Sequence, residues 1–112
     1  GMPYDLARML PNQPTPSATI FFFKATRAFT LSATSTNHVF TASVSATSSS
    51  VFTVYKNALQ ILTATFAPSA TVATISSVTN NSIAVNDVIT VVAPLAPDSS
   101  LANIYWTLTG TV

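Results

Sequence analysis

From Ala18 onward the chain spells one short alternating run after another: ATIFFFK, RAFTLSA, HVFTASVSA, SVFTVYKN, LQILTATF, ATVATISS, VITVVA and LANIYWTLTG. The runs are rich in β-branched and aromatic residues, are bounded by Ser, Asn, Pro and Asp clusters, and recur at intervals of about ten residues. A period of two sends successive side chains to opposite faces of a strand. Phe40, Ala42, Val44 and Ala46 therefore share one face, with Thr41, Ser43 and Ser45 on the other. Ile104, Trp106 and Leu108 likewise oppose Asn103, Tyr105 and Thr107, and the apolar set in each run is the predicted core. No segment after residue 17 keeps a helical period over about ten residues. The fold class that follows is all-β: an antiparallel β-sandwich, Ig-like or jelly-roll-like, of about seven to nine strands over residues 18–112.

Residues 50–66, SVFTVYKNALQILTATF, read as a hairpin that turns at Asn57-Ala58. A two-residue turn of this kind favours Asn-Gly, because its second central residue needs a positive φ that glycine takes without strain. Alanine stands there instead, so the expectation is Asn57 in the left-handed region followed by a longer loop.

Residues 1–17 carry Pro3, Pro11, Pro14 and Pro16. Each removes a backbone donor and restricts the residue before it, which excludes a central strand. One short helical turn over residues 5–10, capped by Asp5, is allowed; the rest reads as an extended arm across its own sandwich or a neighbouring subunit. Gly1 before Met2 reads as a scar of tag cleavage.

A chain of 112 residues makes one domain. Four basic and three acidic side chains form no charge block, so nothing steers the protein to nucleic acid or anionic lipid. ATIFFFKATRAFTL is interrupted by Lys24 and Arg27, and no apolar run reaches the roughly 18 residues of a membrane span. The first residues show no secretory pattern, so synthesis in a cytoplasm without signal export is expected. The absence of cysteine excludes disulfides and thiolate metal sites. Ser and Thr make up more than a quarter of the chain and Glu is missing, a surface unlike a typical cytosolic enzyme and closer to an exported or virion module.

PYDLA, RAFTL, FTVYKN, TATFAPSAT and VNDVITVVAPLAPDSSLANIYWTLTGT, in that order, resemble a small all-β module of bacteriophage and prophage tail and fibre proteins. The resemblance covers nearly the whole chain, and its most specific part runs from Asp87-Val88 through Ala93-Pro94 to Asp98 and Leu101-Ala102. It departs from the pattern where relatives carry more glycine, at Lys56-Asn57-Ala58. It implies a virion location, a tail-associated structural or host-adhesion role, and other virion subunits as partners. Alternatives are a capsid decoration protein and a carbohydrate-binding module of a bacterial surface system.

Little in the chain suggests catalysis. With one His, three Asp and neither Cys nor Glu, there are few acid or base groups to arrange, and no catalytic, cofactor or metal residue is assigned. His38 reads as a loop-edge residue. Asp87 and Asp98 lie beside Asn86 and Ser99-Ser100 and read as Asx-type turn caps. NNSIAVND, residues 80–87, offers a single carboxylate, too little hard-anion charge for a tight Ca²⁺ site.

Aromatic residues are the better inventory. In Phe21-Phe22-Phe23 a strand must send Phe22 opposite to its neighbours, onto a face that the arm, a subunit or a ligand would cover. Tyr55 and Tyr105 fall on Thr-rich faces where a ring could stack on a sugar, and Asn103 beside Tyr105 could bond its hydroxyls. Phe22, Leu6, Met9 and Leu10 are expected subunit contacts. A chain 48% hydrophobic and 6% charged is expected to assemble as a homo-oligomer, and the resemblance to phage fibre modules, which commonly use threefold contacts, implies a trimer in preference to a dimer.

Overall fold

The structure is a computed structural model that describes residues 2–11, 15–96, 98 and 100–112. It is all-β and antiparallel. Strands run in the order β1 (Leu6–Leu10), β2 (Thr19–Lys24), β3 (Phe29–Leu31), β4 (Val39–Val44), β5 (Ser50–Lys56), β6 (Leu59–Phe66), β7 (Thr74–Ile75), β8 (Ser82–Ile83), β9 (Val88–Val92), β10 (Ala102–Leu108) and β11 (Gly110–Thr111). They form a five-stranded sheet in the order β2-β9-β5-β6-β7 and two three-stranded sheets, β1-β10-β4 and β11-β3-β8. Among the described residues the only helical turn is the 3-10 turn Ser35–Asn37.

Each run expected from the alternation becomes a strand. The count nevertheless exceeds seven to nine, because β1, β8 and β11 were not visible in the pattern; β8 and β11 are only two residues long. The helical turn expected over residues 5–10 is instead the edge strand β1. Tyr4 N–H donates to Gly110 O at 2.8 Å and Val112 N–H to Met2 O at 3.0 Å, so even-numbered residues turn their backbone inward and odd-numbered ones outward. Pro3 and Pro11 are both odd. Their missing N–H groups fall on the open side, where an edge strand tolerates proline. Within this segment Tyr4 packs on Phe29 and Phe23 and under the Arg27 guanidinium. Expectations for Gly1 and residues 12–14 lie outside the described residues.

One core joins the sheets. Phe40 on β4 stacks on Trp106 at 5.3 Å, Phe21 on β2 meets Trp106 edge-on at 5.9 Å, and Phe40 approaches Phe52 on β5 at 6.3 Å. These rings connect the inner faces of the five-stranded and β1-β10-β4 sheets. Phe40, Ala42, Ala46, Ile104, Trp106 and Leu108 are buried as their alternation requires. Val44 is not: it lies at the end of β4, opposite Ala102, where the strand leaves the core.

The 50–66 hairpin turns tightly, against expectation. Lys56 pairs with Leu59, and both Asn57 (φ 51°) and Ala58 (φ 79°) take the left-handed region. No longer loop is inserted. Asn57 is held from outside, its N–H donating to Val88 O at 3.0 Å and its Oδ1 accepting Val88 N–H at 2.9 Å.

Candidate functional site

The rings singled out in the sequence stand on two different sheets. Across the five-stranded sheet, register aligns Phe22 with Thr90, Thr90 with Tyr55, and Tyr55 with Gln60. Thr19, Val92, Thr53 and Thr63 form a parallel row on the same outward face. Phe22 is 72% exposed while Phe21 and Phe23 pack against the core, as a strand of three consecutive phenylalanines demands. Tyr55 is partly buried, lying in a central strand among threonines.

Tyr105 belongs to the outward face of β1-β10-β4. There the register aligns Met9, Tyr105 and Thr41, and an isolated bridge extends the row to Val72. Tyr105 is 46% and Met9 54% exposed; Val72 and Val39 are exposed beside them. No charged side chain occurs in that row. Residues 71–75 explain its far end: they pair with β4 at Thr71 and Ala73, then cross to β6 at Thr74 and Ile75. The crossing leaves a cleft of about 440 Å³ lined by Ser35, Thr36, His38, Val39 and residues 72–75. Val39 and Val72 belong to both cleft and face, so the two are continuous. Its lining mixes the hydroxyl-bearing Ser35, Thr36 and Thr74 and the imidazole of His38 with the apolar Val39, Val72, Ala73 and Ile75.

His38, expected at a loop edge, is buried in the wall of this cleft. Its Nε2 lies 2.8 Å from Ser32 O, and its Nδ1 accepts Thr109 N–H at 3.1 Å. The ring therefore carries its proton on Nε2 and ties the 3-10 turn to the end of β10. Both nitrogens are occupied by backbone, which leaves it no free base for a substrate.

Both aspartates cap turns, as expected, and also join distant segments. Asp87 Oδ2 accepts Ala84 N–H at 2.8 Å and Oδ1 accepts Asn57 Nδ2–H at 2.8 Å. The Ala84 amide first, then the Asn57 side chain, hold its carboxyl below the usual carboxylate range. Asp98, buried, accepts the Thr47 hydroxyl at 2.6 Å and both the N–H and the hydroxyl of Ser48 at 2.9 Å, while Ser100 N–H donates to Oδ1 at 2.8 Å. The Thr47 hydroxyl and then the Ser100 amide push it far down. Within residues 80–87, Asn80 Nδ2 donates to Gln60 O and Asn81 Nδ2 to Leu31 O, so that loop spends its polar groups on the fold. Among the described residues no three His, Cys, Asp or Glu side chains gather in one place.

The remaining expected site residues separate. Asn103 lies on β10 two positions before Tyr105, partly buried and at φ 55°. Leu6, expected as a subunit contact, is 5% exposed and belongs to its own chain's core, because it faces inward opposite Leu108. Leu10 is partly buried against that core, whereas Met9 and Phe22 stand free of it on different sheets. What the sequence concealed was the cleft: Val72 and His38 meet only through the strand crossing. None of the family models, characterised proteins or solved structures compared with this chain matches it.

Proposed function

We propose that this chain is a non-enzymatic bacteriophage virion module, tail- or fibre-associated, folded as a β-sandwich, that contributes structure and adheres weakly to a bacterial surface polysaccharide. The ordered motifs from PYDLA to ANIYWTLTG support the phage reading by resemblance. The ring contacts of Phe40 with Phe52 and of Phe21 with Trp106, which bridge facing sheets, support the sandwich.

The observation that carries the adhesive reading is the continuity of the Tyr105 row with the cleft at Val39 and Val72. An exposed ring offers an apolar face to the C–H side of a sugar, and nearby hydroxyls can bond its OH groups. The row bears no charge, which suits a neutral polymer. Tyr55 is not in a row that meets this cleft and is the weaker candidate. One module of this kind binds feebly, and many copies on a particle supply avidity.

Retention of a multivalent display of the protein on immobilised bacterial surface polysaccharides tests the reading. Retention lost in Tyr105→Ala and kept in Tyr55→Ala is the expected result. Retention unchanged in a folded Tyr105→Ala protein, or absent from every polymer, overturns it.

A further inference from the structure

The open edge of β1 follows from hydrogen-bond parity carried across three strands. Ala42 N–H donates to Thr71 O and Ala73 N–H to Phe40 O, so even residues of β4 face away from β10. Thr41 pairs with Tyr105, and thus odd residues of β10 face β4 while even ones face β1. Since Arg8 pairs with Trp106 and Leu6 with Leu108, even residues of β1 bond β10. Ala7 and Met9 turn their N–H and C=O groups outward. Ala7, Arg8 and Met9 are all exposed, and no bond from the outward groups of Ala7 or Met9 is seen among the described residues.

We infer that this edge pairs antiparallel with β1 of a second copy, about a two-fold axis at Ala7. Pro3 and Pro11 stand four residues to either side of Ala7, so in this register each proline falls opposite the other copy's proline, where neither is asked for an N–H. Asp5, Ala7 and Met9 then meet Met9, Ala7 and Asp5 of the twin, giving about six backbone hydrogen bonds. Alanine at the axis leaves room for close approach. Asp5 and Arg8 contribute opposite charges, so two edges meet without a like-charge excess. The other long edge, β2, is disrupted by a register shift between Thr19 and Phe21 and ends in Lys24, features that discourage pairing.

Pairing of like edges is isologous and closes at two copies, in place of the threefold assembly that the phage-fibre resemblance implies. It makes one six-stranded sheet, β4-β10-β1 continued by the same strands reversed. A two-fold axis normal to the sheet keeps both Tyr105 rings on one face; three strand spacings, about 14 Å, across the sheet and four residues, about 13 Å, along the strands set them about 20 Å apart. That bivalent consequence rests on the proposed role of Tyr105; the pairing itself does not.

Light scattering over a concentration series tests the pairing without any ligand. The parent is expected to reach twice the 11.7 kDa chain mass. Ala7→Pro removes only an outward N–H and is expected to halve the mass with unchanged far-ultraviolet circular dichroism. Ala7→Asp, which sets two like charges across the axis, gives the same result by a route that leaves the backbone intact. A parent at single-chain or threefold mass overturns the inference, as does a folded Ala7→Asp protein that still doubles.

Discussion

Asn57 and Asp87, thirty residues apart, hold each other through an Nδ2–H···Oδ1 bond of 2.8 Å that fixes the 50–66 hairpin to the turn before β9. Together with the two bonds between Asn57 and Val88, it pins the first central residue of a turn whose second, Ala58, is forced to φ 79°. The tertiary clamp outweighs the local cost of a left-handed alanine, about 1 kcal/mol.

Ala58→Gly removes that cost. Stability is expected to rise by about 1 kcal/mol, seen as a Tm higher by about 4 °C in a thermal melt. A Tm unchanged or lowered means that the turn is not the tight one described.

Acid is expected to destabilise the protein through Asp87 and Asp98. Each carboxyl ionises near 3.8 when unfolded and lower when folded, so the folded state binds fewer protons in that range. Their contribution is complete above about pH 4 and is lost as pH falls through the depressed folded values. Melts from pH 7 to pH 2 should show Tm level in the neutral range and falling in acid. Asp98→Asn should lower the neutral plateau and flatten the acid limb, because an amide cannot accept from Thr47, Ser48 and Ser100 together.

Gly110→Ala probes the close approach that seats the N-terminal segment. A Cβ built there would lie 2.7 Å from Tyr4 O and 3.1 Å from Thr30 O, both backbone atoms with little freedom to retreat. A loss of about 1–3 kcal/mol in denaturant unfolding is expected. A loss below about half a kcal/mol would show that the two strands are not so close.

The alternating runs were legible because burial in a sheet repeats with the strand period. Phe40, Ala42, Trp106 and Leu108 faced inward as read, and Phe22 outward. β1 was illegible because the prolines that flank it, Pro3 and Pro11, argue against a strand unless one knows which way each nitrogen points, and that depends on the register with β10. Ala58 misled for a related reason: local strain is visible in sequence, but the Asp87 clamp that tolerates it is not. His38 and Asp98 gave no sign of burial, since their partners Thr109 and Thr47 are 71 and 51 residues away. Tyr55 and Tyr105 were read correctly as outward residues, yet only the sheet order shows that they belong to separate sheets and that Tyr105 shares its face with the Val72 cleft.

The most direct test of the adhesive reading is amide chemical-shift mapping of isotope-labelled protein titrated with a neutral bacterial surface polysaccharide that retains it. Shifts are expected along Met9, Tyr105, Thr41 and Val72 and into the cleft at Thr36 and Thr74, with Thr90 and Tyr55 unmoved. Shifts centred on Phe22, Thr90 and Tyr55, or scattered over neither face, would contradict it.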